Sequence, residues 1–114
     1  MSEFNVLIAH ALTTYVSTLA GFLSFERPHF RVQMVDPLDL DGALARVPGA
    51  FVVSDVLSPP ARQSGAGWIL YYPDQQDVAI VNIDGTEQTI ENPALEDVLS
   101  ALDHAAYGQH EQTG

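Results

Sequence analysis

Ala50-Phe51-Val52-Val53-Ser54-Asp55 is the stretch on which the fold turns. The apolar run before the aspartate is too short for a globular helix and rich in β-branched and aromatic residues, so it reads as a buried strand. Unbroken apolar character fits a strand covered on both faces, as in a parallel sheet. Its carboxyl end delivers Asp55 into the loop Val56-Leu57-Ser58-Pro59-Pro60. In open α/β sheets ligands bind beyond the carboxyl ends of the strands, which makes Asp55 the first candidate site residue.

Working outward toward the amino terminus, Val6-Leu7-Ile8 predicts a second buried strand, followed by His10. Leu12, Tyr15, Val16, Leu19, Phe22 and Leu23 then fall at helical spacing on one face, and Pro28 ends that helix. Phe30 to Val35 alternates apolar and polar residues, a strand pattern closed by Asp36-Pro37. Asp39 or Asp41 can cap a short helix carrying Leu40, Leu44 and Val47, which Pro48-Gly49 terminates. Alternating strands and helices with short connections predict right-handed crossovers and a parallel sheet.

Beyond Asp55 the character changes. Residues 56–67 hold two prolines, two glycines and two serines, which argues against a regular crossover helix but leaves open whether the segment contains a helix, and its length can still carry the chain across the sheet. Trp68 to Tyr72 is the next strand, and the loop Pro73 to Asp77 is too short for a parallel crossover, so Val78 to Ile83 should run antiparallel to it. Asp84-Gly85 is a type I′ hairpin signal with Thr86 to Glu91 returning. Asn92 as N-cap and Pro93 at the first helical position open a closing helix with Leu95, Val98, Leu99, Leu102 and Ala106 as its buried stripe. One domain is expected over residues 1–107, with 108–114 as a polar tail.

Charge sets the partner classes. Fifteen acidic residues stand against four arginines and no lysine, for a formal net charge of -11. Nucleic acid is bound by neutralising phosphates with Lys and Arg, so direct DNA or RNA binding is not expected. Cysteine is absent, which removes disulfides, thiolate metal sites and a cysteine nucleophile. No apolar stretch approaches the roughly 18 residues of a membrane span. The expected setting is soluble and cytoplasmic.

From Val6 to Pro59, with the closing helix, the chain resembles a response-regulator receiver domain. The local motif is Val52-Val53-Ser54-Asp55-Val56-Leu57-Ser58-Pro59, which looks like that family's apolar strand, phospho-accepting aspartate and following proline. The resemblance implies a three-layer α/β fold of the flavodoxin type, with parallel strands in the order 2-1-3-4, here extended by an antiparallel hairpin. It places Asp55 at the phospho-acceptor position, with His10, Asp36 and Ser58 around the same receiver-like pocket. The family also uses an acidic pair after the first strand to hold Mg²⁺, where this chain has Ala9 and His10, and a lysine after the fifth strand, where this chain has none. What it implies is therefore a degenerate pseudo-receiver: a signalling or regulatory domain without phosphotransfer machinery, acting through a protein partner.

Two other functions compete. Asp55 could still be phosphorylated in an unusual pocket, or the crevice near His10, Asp36 and Asp55 could bind a small ligand or a divalent metal. The plainer reading makes Asp36 and Asp39 helix caps, His10 a loop residue and Asp55 an acceptor for its own loop amides. No Gly-x-Ser-x-Gly elbow occurs, and Gly65-Ala66-Gly67 precedes a strand where a phosphate cradle would open a helix. Neither enzyme activity nor a cofactor nor a resident metal is expected. Trp68, Tyr71 and Tyr72 form an aromatic strand that either packs across the sheet or offers a partner surface, with a homodimer as one form of the latter.

Overall fold

The computed structural model describes residues 4–47, 49–63, 67–73 and 76–111, and these build an α/β domain around one six-stranded mixed sheet. In chain order the elements are β1 (Phe4–Ala9), α1 (Thr13–Glu26), β2 (Phe30–Met34), α2 (Leu40–Arg46), β3 (Phe51–Ser54), α3 (Pro59–Arg62), β4 (Trp68–Tyr71), β5 (Val78–Ile83), β6 (Thr86–Glu91) and α4 (Leu95–Glu111). The strands lie in the order β2-β1-β3-β4-β5-β6. The first four are parallel, with Ile8 opposite both Met34 and Val53, and Val53 opposite Ile69. β5 and β6 join antiparallel, with Ile69 opposite Val81 and Ala79 opposite Ile90.

Helices cover both faces, which is why β1 and β3 are apolar on both sides. Val6, Ile8, Phe51, Val53, Ile69 and Tyr71 point to one face, where they meet Val16, Leu19 and Leu23 of α1 and Val98, Leu99 and Leu102 of α4. Leu7, Ala9, Val52 and Trp68 point to the other, against Leu40, Ala43 and Leu44 of α2 and Ala61 of α3. Each of these larger side chains, removed from water, contributes about 1.5–3 kcal/mol of burial free energy.

The hairpin turn follows its sequence signal. Asp84 and Gly85 both take positive φ, 53° and 80°, the conformation a type I′ turn requires. Gly67 is needed for a different reason: at φ 117°, a Cβ on it would lie 2.4 Å from the backbone oxygen of Asn82 and 3.1 Å from the Phe51 ring. Only glycine lets the start of β4 approach β5 this closely.

Several local expectations change. Residues 56–67 contain a single helical turn, α3, capped by Ser58, whose Oγ accepts from the Ala61 N–H at 3.4 Å; residues 64–66 lie outside the described chain. A 3₁₀ turn over Pro37–Asp39 precedes α2, and Asp36 caps that turn by accepting from the Leu38 N–H at 2.9 Å. Asp39 stands at the N-cap of α2 without a side-chain bond. The closing helix starts at Leu95, not at Pro93, because Asn92 turns to φ 48° and its N–H donates to the Asp77 carbonyl. The capping side chain is Asp97, which accepts from the Ala94 N–H at 2.8 Å, the reach-back half of a capping box. α4 continues through Gly108 to Glu111, into the stretch expected as tail, and 112–114 lie outside the described residues.

Candidate functional site

The parallel strands β2, β1, β3 and β4 end at one edge of the sheet, and the loops that follow them carry His10, Asp36, Asp55 and Tyr72. Two knots of hydrogen bonds close this edge. In the first, His10 is buried, with 4 % of its surface exposed, although it directly follows β1. Its Nε2 lies 2.9 Å from the Tyr71 carbonyl oxygen at the end of β4, and its Nδ1 accepts from the Leu12 N–H at 3.0 Å. A carbonyl can only accept and an amide N–H can only donate, so this geometry specifies the neutral ring with its proton on Nε2. β3 lies between β1 and β4, and neighbouring strands are about 4.8 Å apart, so the His10 ring reaches across the end of β3.

Two tyrosines meet that ring and a third packs against them. Tyr15 of α1 and Tyr71 meet His10 edge-on at 5.2 and 6.1 Å between centroids, and Tyr72 stacks on Tyr15 at 5.0 Å. The Tyr72 hydroxyl donates to the Pro93 carbonyl at 3.1 Å, which ties β4 to the approach of α4, and the residue is held at φ 48°. Burial, then the neighbouring Tyr72 and Tyr15, push the Tyr71 phenol up to about 12. Burial raises the Tyr72 phenol too, helped by Tyr15 and Asp77.

In the second knot, Ser54 is buried and its Oγ donates to the Val56 carbonyl at 2.8 Å and accepts from the Val56 N–H at 3.2 Å, folding the chain sharply at the end of β3. Asp55, half-buried, accepts from the Ala11 N–H at 3.3 Å. The β1–α1 connection is thus held twice, by Asp55 at Ala11 and by His10 at Leu12.

His10 and Asp55 therefore meet at one loop, whereas Asp36 and Ser58 serve elsewhere. Asp36 is exposed and caps its own turn, and Ser58 donates to Asp41 Oδ1 at 2.5 Å, joining α3 to α2. Both His10 nitrogens are bound to backbone, so neither offers a lone pair to a metal, and no group of three His, Cys, Asp or Glu side chains suited to a metal occurs among the described residues.

The aromatic strand is corrected in the same way. Trp68 and Tyr71 are 4 % and 5 % exposed and face opposite sides of a strand paired on both edges, so they form core and not a partner surface. Alternation along the strand sends Trp68 toward α3, where the Arg62 guanidinium lies 5.3 Å from its ring centre, and Tyr71 toward α1. Tyr72 is half-buried within the tyrosine group. Sequence reasoning missed the part of Tyr15 in the His10 group, although its helical position already turned it toward the sheet. No helix among the described residues is long and apolar enough to cross a membrane. In comparisons with known proteins, no family model, no curated protein and no solved structure matches the chain.

Proposed function

We propose that this chain is a receiver-like regulatory domain of flavodoxin-type architecture that lacks phosphotransfer machinery and works in the cytoplasm through contact with a protein partner. The observation that carries this reading is the His10 bridge from Leu12 to the Tyr71 carbonyl. In a receiver, the position after the first strand supplies carboxylates to a Mg²⁺ ion beside the acceptor aspartate; here the corresponding side chain is an imidazole whose two nitrogens are engaged with backbone. Mg²⁺ takes oxygen ligands in near-octahedral geometry, and Asp55 alone would hold it weakly. The chain has no lysine to pair with a phosphoryl group, and the antiparallel hairpin β5–β6 follows β4 where a further parallel strand would stand.

Intact-mass measurement after incubation with Mg²⁺ and acetyl phosphate tests this reading. The expected result is an unchanged mass. A phosphate adduct that disappears in Asp55→Asn would overturn it in favour of a working phospho-acceptor.

A further inference from the structure

Resting on that reading, and naming the partner's chemistry, we propose that the rim formed by Leu12, Met34, Leu38 and Val56 docks a cationic, amphipathic segment of a protein partner. These four residues are 42 %, 63 %, 93 % and 68 % exposed. Met34 ends β2 and Leu38 lies in the turn after it, Leu12 follows β1, and Val56 follows β3. β2, β1 and β3 are consecutive in the sheet, so the strand ends leading into these three adjacent loops span about 10 Å, and each loop carries at least one exposed large apolar side chain. Phe25, at 81 %, is the remaining large apolar side chain that is strongly exposed among the described residues, and it lies at the opposite end of the sheet, near the end of α1. Scattered exposed apolar residues need no explanation, whereas several on one rim mark a contact surface.

Charge selects the occupant. Arg27 follows α1, Arg31 lies at the start of β2, Arg46 ends α2 and Arg62 ends α3, so every arginine of the chain stands toward the amino ends of the parallel strands. The rim carries Asp36, Asp39 and Asp55 with no arginine and, in a chain without lysine, no side-chain cation to balance them. A second copy of this chain would bring like charge against it, and anionic lipid would be repelled in the same way. A protein segment with leucine-like side chains on one face and lysine or arginine beside them complements both features.

The test is a ¹⁵N NMR titration with a helical peptide of leucine and lysine patterned into two faces. Companion peptides replace lysine by glutamate, or leucine by serine. The leucine–lysine peptide is expected to shift amides of the loops after β1, β2 and β3. Leu38→Ser combined with Val56→Ser should weaken it about tenfold, the loss typical of truncated interface anchors. Phe25→Ser should bind like the parent. Both substitution sets are at exposed positions, and unchanged thermal melts will confirm the fold.

Equal binding of the serine–lysine peptide, binding of the leucine–glutamate peptide, shifts mapping elsewhere, or no binding would each overturn the proposal. So would recovery of the protein on phosphatidylcholine–phosphatidylserine vesicles with the peptide silent, which would assign the rim to a lipid surface. A protein that ignores the peptide and also takes no phosphate loses this docking surface while the pseudo-receiver reading stands.

Discussion

The two ends of the parallel strands are closed by opposite means. At the amino end the backbone itself fills space: Gly67 sits against Asn82 and Phe51 with no room for a side chain, and the Arg27 guanidinium, following α1, binds Asp103 of α4 through two bonds of 2.8 and 2.6 Å. At the carboxyl end, where α/β sheets usually leave a crevice, polar side chains reach for backbone groups, His10 to Tyr71 and Leu12, Asp55 to Ala11. Packing closes one end and side-chain-to-backbone hydrogen bonding ties the loops at the other, so the two ends of one sheet are held by different physical means. Shape follows from strand order; chemistry follows from which side chains the loops deliver.

Substitutions should break the amino end harder than the carboxyl end. Gly67→Ala forces a Cβ onto a backbone oxygen at a φ alanine rarely adopts, and is expected to cost about 3 kcal/mol, read as a lower midpoint in urea. His10→Phe keeps an aromatic ring beside Tyr15 and Tyr71 but leaves the Tyr71 carbonyl and the Leu12 N–H without the imidazole. A loss of about 1–3 kcal/mol is expected by the same measurement. If His10→Phe proved neutral, the first knot would be incidental to stability.

Most of the architecture was legible in the chain, and the reason is physical. Val6-Leu7-Ile8 and Phe51-Val52-Val53 are apolar on both faces because both faces are covered, and that fact is written in the residues themselves. The hairpin was equally local, since Asp84-Gly85 carries its turn in two residues. His10 was not legible as a bridge. Its partner is a carbonyl 61 residues away, and a carbonyl carries no residue identity, so nothing in the sequence around His10 pointed to it. The aromatic strand failed as an interaction surface for a related reason: alternation gives two faces to Trp68 and Tyr71, but what covers each face depends on where α1 and α3 return.

Alkaline pH probes the tyrosine group beside the bridge. A phenol is neutral when protonated, and the Tyr71 pKa is raised from 10.0 to about 12 by burial and by Tyr72 and Tyr15. Between those values the folded protein keeps a proton that the unfolded chain releases. The Tyr71 contribution is therefore complete below pH 10, falls as pH rises, and is lost beyond about pH 12. Urea midpoints measured across this window should fall, and fall less steeply in Tyr71→Phe. An identical slope in the variant would mean that Tyr71 is ionised as readily in the folded state as in the unfolded.

Asp55→Asn should have the smallest effect. The amide oxygen can still accept from Ala11, the bond is long at 3.3 Å, and the side chain is half-exposed, so a change within about 0.5 kcal/mol is expected. A substantially larger loss would make Asp55 a principal anchor of the carboxyl end and reverse its rank relative to His10.

The closed carboxyl end is tested most directly by the ring nitrogens of His10, followed through long-range ¹H–¹⁵N correlations in protein labelled at histidine. The predicted spectrum has a protonated Nε2 and an unprotonated, hydrogen-bonded Nδ1, as the contacts with Tyr71 and Leu12 require. A ring protonated on Nδ1 instead, or one exchanging freely between both forms, would mean that the bridge is absent and the crevice beside Asp55 stands open.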